Sequence, residues 1–396
     1  MRVYLDNNRA TMLDPQVKTT MLSAYERNMG DINSPHYAGS ESRKAYLEAI
    51  EKIGLGIGAT EKDTIMPVSS SDDAVRTLFF GVYANSILTG RRSSIIISER
   101  EGSAVSYMAD FLERQGCKLF RVPVNSDGIV DADAVAGFIS PRTALVSIQI
   151  ADMETGAINQ IDKIAEICAK YDVPFHADAN VALGRIPIDV KDLGVDYLTF
   201  SGSSVHASAN LGIIYAKAGV ALEHLEAYTR KCRSVANCGS LDYAALLGLG
   251  KAIELASDAL DFEMEDVREL RDTLEERLKK IDGIESLVSW SFRLPNTLAV
   301  AIEGAHGEMM SYLLDKSGIA VYAASASPYS QWPGSFITDS LNLDASLRHT
   351  VVSFALSRFN SEEEIDYLVD EIEKILPALR EAGSSLQVKP NEEGTR

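Results

Sequence analysis

The segment PFHADANVALGRIPIDVKDLGVDYLTFSGSSVHASANLGIIYA, residues 174–216, decides the fold. It contains three short β-rich runs: Pro174–Ala177, Tyr197–Ser201 and Leu211–Ala216. Near-continuous apolar strands are typical of a sheet that is covered on both faces. Polar residues follow the first two runs, at Asp178 and Ser201–Ser204. Ligands of such sheets bind outside the carboxyl ends of the strands, so these residues are the first candidates for a functional site.

The chain upstream of this segment shows the same alternation from about residue 60. Ser94–Ser98 (SIIIS) and Ala144–Ile150 (ALVSIQI) are strand candidates, and amphipathic stretches over Ala104–Gln115 and Ile161–Tyr171 predict helices. Strands that alternate with helices indicate a mainly parallel sheet. The sequence therefore predicts an α/β fold. The polar run Ser69–Asp73 also follows a predicted strand and joins the candidate site.

The chain downstream of the segment has a different pattern. A long amphipathic helix is predicted from about Leu249 to Ile281, with Glu275 and Lys279 as an i,i+4 pair on its exposed side. Strand signals at 294–302 (LPNTLAVAI) and 350–356 (TVVSFAL) then mix with helices, as in a smaller α+β domain. Residues 383–396 have no apolar periodicity, so we expect a loose polar tail.

Composition limits the classes of function. The 396 residues are 46% hydrophobic and 24% charged, which is ordinary for a globular protein with a sizeable core. Asp and Glu number 57 against 38 Lys and Arg, so the formal net charge is −19. Such a surface repels phosphate backbones and anionic lipids, which argues against nucleic-acid or membrane partners.

Four cysteines are too few for a disulfide framework and suggest a reducing compartment. Cys117 and Cys168 lie in amphipathic stretches and are interpreted as packing residues. The chain shows no targeting segment and no apolar run of the roughly 20 residues that a membrane helix needs. The sequence therefore predicts a soluble, cytoplasmic protein.

Four motifs carry a family resemblance: LDNNRAT (5–11), NSPHYAG (33–39), HADANVALGRIPIDV (176–190) and FSGSSVHASANLGIIY (200–215). Together they resemble the cysteine desulfurases of the NifS/IscS type, which are class V, fold-type I enzymes dependent on pyridoxal phosphate. The resemblance implies a seven-stranded, mainly parallel sheet between helices in a large domain over residues 15–250. It also implies a small α+β domain from residues 1–14 and 251–382, and a homodimer with its active sites at the interface.

The same resemblance places several of this chain's residues where the family has catalytic groups. The family's Ser-Gly-His-Lys run, whose lysine binds the cofactor as a Schiff base, corresponds here to Ser201-Gly202-Ser203-Ser204. A serine hydroxyl at 204 cannot supply the amine for that bond. The phosphate-holding histidine is replaced by Ser203. His206 is out of register and is interpreted as a polar loop residue.

The family's phosphate cradle is also changed. Its Gly-Ala-Thr run, which lies at a helix N-terminus, corresponds to Ser70-Ser71-Asp72. A carboxylate at Asp72 would repel a phosphate dianion. Ser and Asp are preferred N-cap residues, so the main interpretation is a helix that is capped by its own side chains.

Further positions that the resemblance assigns to ring, substrate and sulfur contacts also differ. They are Gly102 for the ring-stacking histidine, Asp152-Met153-Glu154 for an Asn-Asn-Glu run, Val181 for a glutamine, Ser353 for the substrate-binding arginine, and Ser327 (or Ser325) for the sulfur-accepting cysteine. A serine gives no bidentate carboxylate contact and cannot form a persulfide.

Four polar residues remain as remnants of the pocket. Asp178 matches the carboxylate that pairs with the pyridine nitrogen, although the main interpretation is that it caps or braces the strand end. Ser201, Ser203 and Ser240 provide hydroxyls at or near the phosphate positions, the last across the dimer interface.

The sequence thus predicts a catalytically inactive cysteine desulfurase-like homodimer with no cofactor. Its partners would be a true desulfurase or an iron–sulfur scaffold protein. The alternative is an enzyme of altered chemistry, of which there are two versions. One holds pyridoxal phosphate non-covalently over Asp178. The other binds a metal or sulfur species at Cys232 and Cys238, whose spacing matches no common zinc or iron–sulfur pattern.

Overall fold

A computed structural model describes residues 1–27, 30–220, 242–323, 341, 343–347 and 349–386. In these ranges the chain forms a seven-stranded sheet, a four-stranded sheet and a two-stranded sheet. The seven-stranded sheet lies between two layers of helices, so the predicted α/β fold is confirmed.

The large sheet has the order β2-β8-β7-β6-β5-β3-β4. Its strands are β2 (Thr64–Val68), β3 (Ser94–Ser98), β4 (Lys118–Val122), β5 (Thr143–Gln149), β6 (Phe175–Asp178), β7 (Tyr197–Ser201) and β8 (Gly212–Ala216). Only β8 runs against the others, because it pairs antiparallel with both β2 and β7. All seven residues of β5 and all five of β3, β7 and β8 are buried, which explains their continuous apolar runs.

Helices connect these strands and cover the sheet. They are α1 (Pro15–Glu26), α2 (Tyr37–Gly56), α3 (Ser71–Val82), α4 (Ser103–Arg114), α5 (Ala132–Phe138), α6 (Ile161–Lys170), α7 (Val190–Leu193) and α8 (Tyr243–Asp258). The α3 helix continues into a π-helical turn over Tyr83–Ile87. In α6, Ile161, Ile164, Ala165 and Cys168 form the buried stripe that its amphipathic pattern predicts.

The second part of the molecule combines the N-terminus with the C-terminal third. Its strands are β1 (Val3–Tyr4), β9 (Ile284–Ser286), β10 (Thr297–Ile302), β11 (Ile319–Ala320), β12 (Tyr322–Ala323) and β13 (Val351–Ala355). Its helices are α9 (Arg268–Leu278), α10 (Gly307–Lys316) and α11 (Glu362–Leu386). β1 pairs in parallel with β11, and β12-β13-β10-β9 form an antiparallel sheet with its own core. The exact domain boundaries stay a prediction.

The prediction of one continuous helix over residues 249–281 is wrong, because the helical region is interrupted. The chain forms α8, a short turn over Leu260–Phe262, a π-helical turn over Glu263–Val267, and then α9. Glu275 does pair with Lys279 at 2.7 Å, but it is buried and also contacts Arg293. Amphipathic periodicity therefore located the helical region but not its interruption or the burial of Glu275.

The N-terminal LDNN motif ties the two parts together. The Arg185 guanidinium, buried in the large part, donates to the Asn7 carbonyl oxygen at 2.6 Å and to the Asn8 side chain. Asn8 Nδ2 in turn donates to Met153 O at 2.8 Å and to Thr297 Oγ1 at 2.9 Å. The motif thus has a structural role, since it joins the large sheet to the strands of the small part.

Candidate functional site

Three polar segments meet at the edge of the large sheet where the parallel strands end. Asp178 ends β6, and Ser201 ends β7 and continues into a 3₁₀ turn over Gly202–Ser204. β2 runs in the same direction as β7, so the N-terminus of α3 comes to this edge as well. Topology therefore brings together the three groups that the sequence predicted as a site.

Asp178 is braced by the residues that follow it. Its Oδ1 accepts hydrogen bonds from the Asn180 backbone N–H and side-chain Nδ2, both at 2.8 Å. Burial raises the pKa of Asp178 to about 6, and the nearby Asp72 carboxylate adds to the rise. These contacts agree with the bracing role that the sequence left open, and they leave the second carboxylate oxygen available.

Glu101 provides a second buried carboxyl beside Asp178. Its Oε1 accepts backbone hydrogen bonds from Gln149 at 3.1 Å and from Ser98 at 3.4 Å. Its Oε2 is buried without a hydrogen-bond partner in the described structure. Burial raises the pKa of Glu101 well above its usual range, and the Asp178 charge raises it further. The carboxyls of Asp178 and Glu101 therefore both hold their protons to a higher pH than free carboxyls do.

The serines at the end of β7 are largely engaged with their own loop. Ser201 Oγ and Ser203 Oγ lie 2.8 Å apart in a hydrogen bond. The Ser203 carbonyl oxygen accepts from Thr11 Oγ1 at 2.7 Å. Ser204, which the resemblance aligns with the family lysine, is 6% exposed, and its hydroxyl has no hydrogen-bond partner in the described chain. A buried unpaired hydroxyl is costly, so Ser204 marks a place where the pocket is not internally complete.

The N-terminus of α3 caps itself, as the sequence predicted. Ser70 Oγ accepts the Asp73 N–H at 3.1 Å. The Asp73 carboxylate accepts from Ser69 Oγ at 2.8 Å and pairs with Arg76. The cap and two carboxylates in the first turn occupy the region where a phosphate would bind.

An ion pair that sequence reasoning missed fills another part of the site. Arg100 Nη2 and Nε donate to Asp152 Oδ2 at 2.7 and 3.1 Å, and both side chains are at least 92% buried. The other oxygen of Asp152 accepts from Thr155 N–H and Oγ1, both at 2.8 Å. Burial opposes ionisation of Asp152, but Arg100 outweighs it and holds the pKa of that carboxyl below its usual range.

Glu154 connects this ion pair to the small part of the molecule. Tyr322 OH donates to Glu154 Oε1 at 3.1 Å, and Ser353 Oγ donates to the Glu154 carbonyl oxygen at 2.6 Å. The Arg9 guanidinium lies over the Tyr322 ring, 4.0 Å from its centroid. Ser353, which the resemblance aligns with the family's substrate-binding arginine, thus serves as a contact between the two parts.

His206 corrects one interpretation. It is a loop residue, but it is only 3% exposed and its ring packs edge-on against Phe359 at 4.9 Å. Its Nδ1 lies 2.9 Å from the Met12 carbonyl oxygen, and burial lowers the pKa of its imidazole to about 4. His206 is therefore a neutral packing residue with left-handed backbone (φ 59°) instead of a solvated polar one.

The cysteine and remaining loop predictions divide into two groups. Cys117 and Cys168 are buried and free, and burial raises the pKa of their thiols to about 11 and about 12, as expected of packing residues. Ser240, Ser327, Ser325, Cys232 and Cys238 lie outside the described residues. Within the described ranges, no group of three or more His, Cys, Asp or Glu side chains is arranged to hold a metal ion. No helix there is long and apolar enough to cross a membrane.

Sequence reasoning missed Arg9, Arg100, Glu101 and Tyr322 as parts of the site. Arg100 and Glu101 lie two and three residues after Ser98, the end of a predicted strand, so a charged pair near a strand end was the available signal. Arg9 and Tyr322 come from segments far apart in the chain and gave no such signal.

Comparisons with known proteins agree with this geometry. The model of the aminotransferase class-V family matches residues 3–368. The chain is 32% identical to the cysteine desulfurase IscS of Dictyoglomus turgidum, over 96% of this chain and 95% of that one. It is 30% identical to the cysteine desulfurase NifS of Azotobacter vinelandii, over 96% and 93%. A solved NifS-like protein superposes with a TM-score of 0.86 at 28% identity, covering 96% of this chain and all of that one. The chain belongs to the class V aminotransferase family, in its NifS/IscS cysteine desulfurase group.

The family assignment overturns the expectation of no cofactor. Class V aminotransferases and the cysteine desulfurases that match this chain depend on pyridoxal phosphate, so that expectation is wrong. The lysine-linked form of the cofactor nevertheless does not fit the residues present. Ser204 offers an unpaired hydroxyl instead of an amine, and α3 places carboxylates in the region of the phosphate. Among the described residues, Asp178 is the one that the resemblance assigns to the ring contact, and that assignment stays a prediction.

Proposed function

We propose that this member of the cysteine desulfurase family does not release sulfur from cysteine. Its role is instead that of a binding or regulatory partner in sulfur transfer and iron–sulfur cluster assembly in the cytoplasm. The observation that carries the proposal is Ser204, a buried hydroxyl at the position where the reaction requires a lysine amine.

The substrate side of the pocket supports the same conclusion. Ser353 replaces the arginine that would bind a substrate carboxylate, and its hydroxyl is already committed to the Glu154 carbonyl oxygen. Neither a guanidinium fork nor a free donor is therefore available at this position for an amino-acid carboxylate. Loss of the amine and of the carboxylate contact together argues against a simple change of substrate.

A homodimer is part of the proposal. Large apolar side chains are exposed along α1 and α2, among them Tyr25, Tyr37 and Leu55. An exposed apolar surface of this kind is typical of an interaction site. The outer face of the dimer's large domain would contact a desulfurase or a scaffold protein.

The first test measures sulfide release from L-cysteine with pyridoxal phosphate supplied. We expect no sulfide above the protein-free blank, because neither position 204 nor position 353 has the required group. Sustained turnover would overturn the proposal. A matched pair of variants, Ser204→Lys and Ser203→Lys, tests whether position 204 in particular can bind the cofactor through a lysine. With added cofactor, only Ser204→Lys should give an absorbance band that borohydride makes permanent.

The partner is tested by affinity purification of the full chain from its own cells at physiological salt. We expect a cysteine desulfurase or an iron–sulfur scaffold protein to be recovered in stoichiometric amounts. Recovery of neither protein would contradict the proposed partner role. It would not bear on the proposed loss of desulfurase activity, which the sulfide assay tests separately.

A second candidate function is an enzyme of altered chemistry that holds pyridoxal phosphate without a covalent bond. Asp178 favours it, since the resemblance assigns it the contact with the pyridine nitrogen and both of its hydrogen bonds from Asn180 go to one carboxylate oxygen, Oδ1. An absorbance spectrum from the near ultraviolet to 500 nm, taken before and after adding the cofactor and desalting, distinguishes the two. A retained band that borohydride does not fix covalently supports this second function.

A further inference from the structure

A cavity lies at the opposite end of the large sheet from the site described above. Its volume is about 150 Å³. Ala144, at the start of β5, and Tyr197, the first residue of β7, contribute to its wall, and Pro174 directly precedes β6. The cavity is therefore at the amino ends of the strands, whereas Asp178 and Ser204 are at the carboxyl ends. It is separate from the pocket that the family uses.

The cavity has an apolar body. Leu78 and Val82 from α3 line one side, and Ala144 and Pro174 line the other. A cavity of roughly 150 Å³ with such a lining accommodates a ligand about the size of benzene. Gly81 also lines the cavity. A Cβ placed on Gly81 would meet no atom within 4 Å, so there is room for a side chain at this position.

The mouth of the cavity is polar and positively charged. Asn85 and Ser86 reach it from the π-helical turn Tyr83–Ile87, in which the Leu88 N–H bonds the Tyr83 carbonyl oxygen five residues back at 2.9 Å. Single π-helical turns occur frequently at functional sites. Arg91 is the charged residue among the described residues of the lining, and these residues include no carboxylate.

Arg91 and its neighbour Arg92 differ in the contacts that their guanidinium groups make. The Arg92 guanidinium is bonded to the carbonyl oxygens of Thr143 and Asp172, at 2.9 and 2.7 Å. Arg91 has no hydrogen bond or ion pair with any described residue, and it is exposed at the cavity mouth. In a chain with a net charge of −19, an unpaired guanidinium beside an apolar cavity is suited to an anion with an apolar body.

We propose that this cavity is a binding site for a small amphipathic carboxylate, one with a single carboxylate group and an apolar body no larger than a six-membered ring. The body occupies the space between α3 and the strand ends, and the carboxylate accepts hydrogen bonds from Arg91. Asn85 and Ser86 provide further polar contacts at the mouth. The site does not depend on the proposed loss of desulfurase activity.

Binding is tested by calorimetric titration of the full chain with sodium benzoate, with benzylamine as the cationic ligand of similar size. We expect saturable millimolar benzoate binding and none for benzylamine. The Arg91→Gln variant should weaken benzoate binding about tenfold or more, since a charge-assisted hydrogen bond is lost, whereas Arg91→Lys should retain part of it. Absent benzoate binding, or equal binding of benzylamine, would overturn the proposal.

The position of the ligand is tested by a matched pair of glycine variants. Gly81→Leu fills the cavity wall, while Gly137→Leu places the same side chain in open space on α5, away from the cavity. We expect Gly81→Leu to abolish benzoate binding and Gly137→Leu to leave it unchanged. If both variants bind as the wild type does, the ligand does not occupy this cavity. Arg91 is exposed, so its variants keep the test valid even if Gly81→Leu fails to fold.

Discussion

Asp178, which is partly buried, and Asp152, which is buried, lie at the same edge of the sheet, and their surroundings shift the pKa values of their carboxyls in opposite directions. Asp178 has amide donors from Asn180 and carboxylate neighbours, so burial dominates and the pKa rises to about 6. Asp152 has the Arg100 guanidinium at 2.7 Å, which outweighs burial and lowers the pKa. The charge state of the pocket is therefore decided residue by residue.

The raised pKa of Asp178 gives a pH-dependent prediction. In the folded protein the pKa is about 6, above the unfolded value of about 3.9, so its protonation stabilises the fold below pH 4 and this contribution is lost as the pH rises through 6. Asn does not titrate, so the Asp178→Asn variant does not lose this contribution. Its free energy of unfolding, relative to that of the wild type, should therefore rise by roughly 2 kcal/mol between about pH 4.5 and pH 7. Urea unfolding at both pH values measures this, and a difference that does not change with pH would contradict it.

The Arg100–Asp152 pair gives a second prediction. Arg100→Met should destabilise the fold by about 3–5 kcal/mol, because it leaves Asp152 buried without its cation. The double variant Arg100→Met, Asp152→Asn should recover part of that loss, since position 152 no longer carries a buried charge without a partner. Chemical denaturation of the two single variants and the double variant forms the test. Additive losses would show that the two side chains are not coupled.

At the scale of elements, the contact between β8 and the start of α3 fixes the edge of the site. β8 pairs with β2 so that Gly212 lies opposite Val68, just before the turn into α3. A Cβ on Gly212 would overlap the Ser70 backbone carbonyl, which belongs to the cap of α3. The absence of a side chain at Gly212 thus allows the strand and the helix N-terminus to meet.

This contact predicts opposite effects of the same substitution at two glycines. Gly212→Ala should destabilise the protein by about 3 kcal/mol, since backbone atoms must move to relieve the overlap. Gly81→Ala, in the last turn of α3 where the helix continues into the π-helical turn, has open space around its Cβ and should stabilise the protein by about 0.5–1 kcal/mol. Denaturation midpoints of the two variants give the comparison, and a tolerated Gly212→Ala would mean that β8 and α3 are not in close contact.

At the scale of the whole molecule, the two parts are held together by buried polar contacts. Arg185 and Asn8 join the N-terminal motif to both parts, and Glu154 accepts hydrogen bonds from Tyr322 and Ser353 across the cleft. These contacts fix the small part over the carboxyl edge of the sheet. The exposed apolar residues of α1 and α2 are left outside this arrangement, which is why a second copy of the chain is proposed there.

The proposed dimer is tested by measuring the mass of the protein in solution. Light scattering of the full chain should give twice the monomer mass of 43.1 kDa. Tyr37→Glu, at an exposed position that begins α2, should shift the mass towards the monomer, because it places a charge in an apolar contact. Tyr312→Glu, at an exposed position of α10, is the matched control and should leave the mass unchanged. A monomeric wild type would contradict the proposal.

Much of the fold could be predicted from local pattern. The strands β3, β5, β6, β7 and β8 lie within one residue of their predicted bounds at either end, because fully buried strands give continuous apolar runs. β4 was not predicted, since three of its five residues are only partly buried and its LysLeuPheArgVal pattern is mixed. The π-helical turn at Glu263–Val267 also left no signal in the periodicity, so one long helix was predicted across it.

The sequence by itself determined that position 204 has no amine and that position 353 has no guanidinium, because these are properties of single side chains. It also determined where the fully buried strands lie along the chain, since hydrophobic periodicity is a local property. Only the tertiary structure decided that Arg100 neutralises Asp152, 52 residues away, and that Ser353 bonds to Glu154, 199 residues away. Such contacts depend on how the sheet and the small part pack in space, so no local pattern in the sequence specifies them.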